Sequence, residues 1–120
     1  MKASRAWAST AILITYDEGG GFFDHVPPPQ LDAFGPGIRV PMMIVSPLAK
    51  PGFVDTKFSE HSSVLKFIET VFGLPTLASI SHQFDKSTPR GSNYQANGAP
   101  FPPRDGKSAL SDLTQCFTFG

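Results

Sequence analysis

Ala11-Ile-Leu-Ile14 runs straight into Thr15-Tyr-Asp-Glu-Gly-Gly-Gly-Phe-Phe-Asp-His25, and the junction between them decides what kind of protein this is. The unbroken apolar run predicts a strand over about residues 10–16, and its lack of alternation predicts cover on both faces. That strand ends in two adjacent carboxylates, three glycines and an Asp-His pair. In open α/β sheets, ligands and metals gather beyond the carboxyl ends of the strands. Asp17 and Glu18 together have no place in a packed core, because burying two like charges is costly without a neutralising cation. The inference is a site for a divalent metal ion.

Outward from this junction, residues 19–37 read as loop. Gly19-Gly20-Gly21 permits backbone shapes closed to other residues, and Pro27-Pro28-Pro29 stiffens the exit. A second buried strand is expected over residues 40–45, with Pro41 at its start or on an edge. Residues 50–54 form a turn. The clearest helix spans about Glu60 to Phe72, with Ser59 as its N-cap and Gly73 and Pro75 as its stop. Val64, Leu65, Ile68, Val71 and Phe72 fall on one helical face and Lys66, Glu69 and Thr70 on the other, so the first set is expected in the core. Periodicity fades beyond Leu77. Residues 85–107, rich in Pro, Gly, Ser and Asn, read as a surface excursion, and the apolar ending from Leu110 to Phe119 is expected to dock against the body.

Strand, loop, strand, loop, helix is an α/β pattern. Two strands and one good helix make a poor sheet on their own, and the chain starts only ten residues before a core strand. Both features raise the expectation of a fragment.

Composition narrows the function classes. The 120 residues are 40% hydrophobic and 17% charged, which suits a folded chain rather than a disordered one. Ten basic residues balance ten acidic ones, leaving no electrostatic footprint for nucleic acid. No apolar run approaches the roughly 20 residues of a membrane span, so an integral membrane protein is not expected. The single Cys116 cannot form an internal disulfide and reads as a small apolar residue beside Phe117 and Phe119. The start Met1-Lys-Ala-Ser-Arg-Ala-Trp7 has no apolar signal region.

The chemistry-bearing residues each have an ordinary alternative. Neighbouring strand residues point to opposite faces, so Asp17 and Glu18 reach one metal only if the strand breaks, which the glycines allow. Hard cations favour such carboxylate oxygens and can hold a phosphate oxygen, while Asp-Glu-Gly is also ordinary turn chemistry. His25 could bind metal, hydrogen-bond a phosphate or donate a proton, or it could tie down the loop. His61, with Ser62 and Ser63, lies in the first helical turn, where free N–H groups favour anions. The alternative there is that Glu60 and the serines are capping residues. Arg39 could meet a phosphate or form a structural ion pair. His82 reads as exposed. No Ser, Thr or Cys has the strained-turn setting of a nucleophile, and Gly-x-Ser-x-Gly is absent.

These residues carry a family resemblance. The run from Trp7 to Pro29 resembles the C-terminal half of the bacterial phosphoesterase family, which groups non-specific phospholipases C with acid phosphatases of the alkaline phosphatase superfamily. The likeness continues through Gly37-Ile-Arg-Val-Pro41, Ile44-Val-Ser-Pro-Leu-Ala-Lys-Pro-Gly52, Glu60-His-Ser-Ser-Val-Leu-Lys-Phe-Ile-Glu69, Pro102-Pro-Arg-Asp-Gly106 and residues 112–119. It implies that Asp17 and Glu18 are metal ligands and that His25 and His61 lie near the phosphate as catalytic residues. Some members have His where this chain has Gly19, so that position is not an indispensable ligand. The family's Glu-Asn metal motif and its Thr or Ser nucleophile, both from the N-terminal half, have no match here.

The resulting expectation is an α/β chain forming part of an alkaline-phosphatase-like sandwich, a mixed sheet flanked by helices. Residues 1–120 would be the C-terminal fragment of a phosphoesterase domain, with residues 1–77 as sheet, helix and metal loop and residues 78–120 as a loop-rich extension. Its function would be metal-dependent hydrolysis of a phosphate ester or phospholipid, completed by the missing N-terminal half of the same enzyme. The family implies a secreted or periplasmic full-length form. The alternative is a catalytically incomplete remnant or interaction module.

Overall fold

A computed structural model describes residues 4–31, 35–84 and 103–119. The chain divides into two compact units, Met1–Asp55 with Gln115–Gly120, and Thr56–Thr114. Strands and helices are both present, as the α/β pattern predicted.

In the first unit, a 3-10 turn over Arg5–Ser9, capped by the Ser4 hydroxyl, leads into β1 (Ile12–Thr15). β1 pairs antiparallel with β2 (Met42–Val45), Ile12 facing Val45 and Thr15 facing Met42. Both strands are shorter than the sequence suggested but centred where it placed them. Pro41 sits just before β2, where a missing N–H is harmless, and its carbonyl accepts the Thr15 hydroxyl at 3.0 Å. The register places Ile12, Ile14, Met43 and Val45 on one face and Leu13, Met42 and Ile44 on the other. Leu13, Met42 and Ile44 are half-buried, whereas Ile14, Met43 and Val45 are exposed. The expected cover on both faces of β1 is therefore not present: within the described residues, one face of this two-stranded ribbon has nothing packed over Ile14 and Met43.

The chain end closes this unit. Phe117 bridges Ala49, with Lys50 N donating to the Cys116 carbonyl at 2.9 Å and Thr118 N to the Leu48 carbonyl at 2.8 Å. Cys116 is buried beside Phe117 with its Sγ 3.8 Å from Asp55 Oδ2, and the Phe117 and Phe119 rings stack 5.5 Å apart.

In the second unit, α1 (His61–Phe72) is set by a capping box in which the Ser63 hydroxyl accepts the Glu60 N–H at 3.1 Å and Glu60 caps Ser63 in return. Glu60, not Ser59, is the N-cap, and the Ser59 hydroxyl instead donates to the Lys57 carbonyl. Gly73 ends the helix in the left-handed conformation (φ 63°), which lets Leu74 N reach back to the Glu69 carbonyl at 2.8 Å. A second helix that the sequence reading did not foresee, α2 (Leu77–Phe84), follows. Its local signal is Thr76, whose hydroxyl accepts the Ser79 N–H at 3.1 Å in the manner of an N-cap.

The buried face of α1 also differs from the expectation. Ser63, Phe67 and Glu69 are buried, while Ile68, Val71 and Phe72 are exposed, Phe72 at 72%. The cause is the C-terminal segment, which packs on the helix's polar side: Lys66 Nζ donates to the carbonyls of Lys107 (2.7 Å) and Leu110 (2.9 Å). Leu110 and Leu113 are buried there, and Ser111 N donates to the Phe58 carbonyl. The surface excursion expected over residues 85–107 is corrected at its end. A 3-10 turn at Arg104–Gly106 buries Asp105, and a Cβ on Gly106 would lie only 2.5 Å from that of Ala78. Residues 85–102 of that expectation lie outside the described residues.

Leu113 is among the most deeply buried side chains of the second unit and sits at φ 61°, with its N–H held by the Ser111 hydroxyl. Leu113→Ala should lower unfolding stability by about 2–5 kcal/mol, measured by urea denaturation.

Candidate functional site

The end of β1 is built by a reversal. Phe22 N donates to the Gly19 carbonyl at 3.1 Å, with Gly20 and Gly21 at φ 62° and 77°. Positive φ at both central positions is the geometry of a type I′ turn, which side chains other than Asn, Asp and Gly rarely tolerate. β1 has already ended at Thr15, so Asp17 and Glu18 lie between the strand and this glycine turn rather than in a strand that the glycines break. Gly19 itself is needed for room, since a Cβ there would meet the Ile38 side chain at 2.3 Å. A histidine at this position, as the resemblance allows in some members, would require Ile38 to move.

Asp17 and Glu18 stand at the entrance to this turn, both exposed. Asp17 Oδ1 accepts the Glu18 N–H at 3.1 Å. Neither forms an ion pair among the described residues. As hard oxygen donors held side by side in solvent they suit a divalent cation in donor type, but they fall short in number. Among the described residues no three His, Cys, Asp or Glu side chains gather to hold a metal, and hard cations take about six oxygen ligands. Further ligands would have to be water or groups from elsewhere.

Asp24 has a different role from its neighbours. Its side chain is 9% exposed and accepts both Nε (2.8 Å) and a terminal nitrogen (2.8 Å) of Arg39, together with the backbone N–H groups of Arg39 (3.1 Å) and Val26 (3.0 Å). The Arg39 fork, then the Val26 amide, hold the Asp24 carboxyl well below the usual carboxylate range. Of the two readings of Arg39, the structure shows the ion pair. His25, next in the chain, is 83% exposed, with Nδ1 3.9 Å from Asp24 Oδ1. The pair therefore anchors the loop that presents His25 to solvent.

His61 belongs to the second unit, exposed at the first position of α1. Ser63 is fully buried in the capping box, and Glu60 is bound by Arg104, so both take the capping role that the sequence had left open. The side chain of His82 is not among those described. What the sequence reading missed is Arg39 and Asp24 as each other's partner. Opposite charges fifteen residues apart across a loop leave no periodic signal.

Comparison with known proteins adds a family likeness. A family model described as the Phosphoesterase family matches residues 1–75. Non-hemolytic phospholipase C of Burkholderia pseudomallei is 38% identical over 92 residues, covering 55% of this chain and 13% of that protein. Phospholipase C A of Mycobacterium tuberculosis is 29% identical over 144 residues, covering 92% of this chain and 27% of the relative. Non-specific phospholipase C3 of Arabidopsis thaliana is 31% identical over 98 residues, 62% of this chain and 19% of its own length. The chain thus spans less than a third of these curated relatives. No solved structure matches it.

Because Asp24's carboxyl is depressed, its contribution is present above its ordinary value of 3.8 and is lost only as pH falls through the lower folded value. Amide exchange at Val26 and Arg39 should therefore stay slow below pH 3.8. In Asp24→Asn it should be fast at every pH, and Arg39→Lys should speed it because an ammonium cannot replace the fork.

Proposed function

The chain belongs to the Phosphoesterase family, and from that premise we propose that it is the C-terminal segment of a longer, metal-dependent enzyme that hydrolyses phosphate esters. The single observation that carries this reading is the Asp17-Glu18 pair, exposed between the end of β1 and a tight glycine turn. The named relatives are phospholipases C, which favours a phospholipid or a related phosphate ester as substrate.

In this proposal Asp17 and Glu18 hold a divalent cation, which when bound neutralises phosphoryl oxygens and lowers the barrier to attack. Asp24 and Arg39 fix the loop so that His25 can hydrogen-bond a phosphate oxygen or give a proton to the leaving oxygen. His61, exposed at the start of α1 in the second unit, is the other histidine that the family resemblance assigns to the phosphate. The nucleophilic Thr or Ser and the remaining ligands come from the rest of the enzyme. The exposed face formed by Ile14, Met43 and Val45 is where further strands or helices would complete an alkaline-phosphatase-like sandwich. Among the described residues no helix is long and apolar enough to cross a membrane. From the phospholipase C relatives we infer a full-length enzyme that is secreted or periplasmic.

In the longer enzyme carrying this segment, Asp17→Asn should reduce turnover of a chromogenic phosphate ester by at least about a hundredfold, since it removes a direct ligand. Near-normal rates would sink the metal assignment. Calorimetric titration of the 120-residue chain with Mg2+, Ca2+ or Zn2+ should show weak binding that Asp17→Asn or Glu18→Gln abolishes. Binding that survives both substitutions would favour the non-catalytic alternative.

A further inference from the structure

The second unit buries two carboxyl groups that the proposed chemistry does not use. Glu69 on α1 is 4% exposed and Asp105, in the 3-10 turn, is 1% exposed. Their outer oxygens take consecutive backbone donors from the start of α2: Glu69 Oε1 accepts the Leu77 N–H at 3.1 Å and Asp105 Oδ2 accepts the Ala78 N–H at 3.2 Å. Their inner oxygens, Glu69 Oε2 and Asp105 Oδ1, are buried with no hydrogen-bond partner, and the consecutive amides of Leu77 and Ala78 set the two carboxyl groups side by side.

Two ionised carboxylates cannot sit together out of water without a positive partner, and either a proton or a cation could serve. Several features favour the proton. No third His, Cys, Asp or Glu joins the pair among the described residues, and two amide N–H groups already point at it. Lys66, on the same helix, forms no ion pair with the two carboxyl groups and spends its ammonium on the Lys107 and Leu110 carbonyls. From the 104–106 turn, Arg104 is committed to Glu60. The described side chains of α2, residues 77–80, carry no titratable group.

We propose that Glu69 and Asp105 share a single proton, and that this proton clasps α1, the 104–106 turn and the N-terminus of α2 together as a pH-sensitive fastening. One carboxyl O–H donates to the inner oxygen of the other, while each outer oxygen keeps its amide. Loss of the proton leaves two buried negative charges side by side, and α2 is released from α1 and the turn.

The direction of the pH dependence follows from the electrostatics. Burial first, then the neighbouring Asp105 carboxyl, push Glu69 above its ordinary value of 4.5, against the opposing pull of the Leu77 amide and Lys66. A raised folded value means the stabilisation is fully present below 4.5 and is lost as pH rises through that folded value. This is opposite in sign to Asp24 in the first unit.

The test uses the whole 120-residue chain and amide hydrogen exchange of residues 77–84, corrected for intrinsic rates, from below pH 4.5 to neutrality. Protection in the wild type should fall by up to about tenfold per pH unit above the folded value. Glu69→Gln should flatten that profile, because its carbonyl still accepts from Leu77 while its amide donates permanently to Asp105. Asp105→Asn should do the same from the other side. Parallel falls in wild type and variants would overturn the shared proton. So would Ca2+ or Mg2+ restoring protection at neutral pH in the wild type alone, which would make the pair a cation site. Should both variants fail to fold, the carboxyl 13C shift of Glu69 in the wild type decides: titration above 4.5 supports the proposal and titration at or below it overturns it.

Discussion

A carboxylate taken out of water needs donors, because the desolvation it suffers costs several kcal/mol if nothing replaces its hydration shell. Much of the irregular structure here is organised around that requirement. Asp24 draws in Arg39 and two backbone amides and so closes the loop from β1 to β2. Asp55 takes the Gln115 side chain where the chain end returns to the first unit. Glu60 caps α1 and binds Arg104, while Glu69 and Asp105 each hold an amide of α2. With so few residues in strands or helices, these carboxylates do the fastening that longer ladders do elsewhere.

Asp17 and Glu18 stand apart from this pattern. They are exposed, beside a turn that favours glycine at both central positions, and no cationic side chain among the described residues is paired with them. The hydrogen bond between them is local, from the Glu18 N–H to Asp17 Oδ1, and ties no distant part of the chain. The uncovered face of the β1–β2 ribbon and the apolar residues Ile68, Val71 and Phe72 of α1 are exposed as well. Large apolar side chains are left in solvent in both units, and the chain spans at most 27% of the relatives described above.

How much could be read beforehand depends on the range of each interaction. Ile12 to Thr15 and Met42 to Val45 were legible as strands because apolar runs with flanking Gly and Pro are local signals. The turn after Glu18 was legible because three glycines admit few other uses. The cap of α1 was misplaced at Ser59 because its box runs in the uncommon order, with the acid at the N-cap and the serine three residues later. α2 escaped because eight residues give little periodicity, although Thr76 marked its start. The buried face of α1 was misread because the apolar stripe is normally the core face, and here residues 104–113, some forty positions away, occupy the polar side.

The sequence by itself determined the α/β character, the two strand centres, the span of α1, the family, and the two carboxylates just beyond a strand end. Periodicity, turn chemistry and motif spacing all act over a few residues, so they survive without knowledge of the fold. Tertiary structure alone decided the rest: that Arg39 binds Asp24 rather than a ligand, that Arg104 binds the capping Glu60, and that Glu69 and Asp105 are buried and take consecutive amides of α2. Each depends on which charges meet across long stretches of chain, and a charged side chain has the same local preferences whether its partner is water, a metal or another residue.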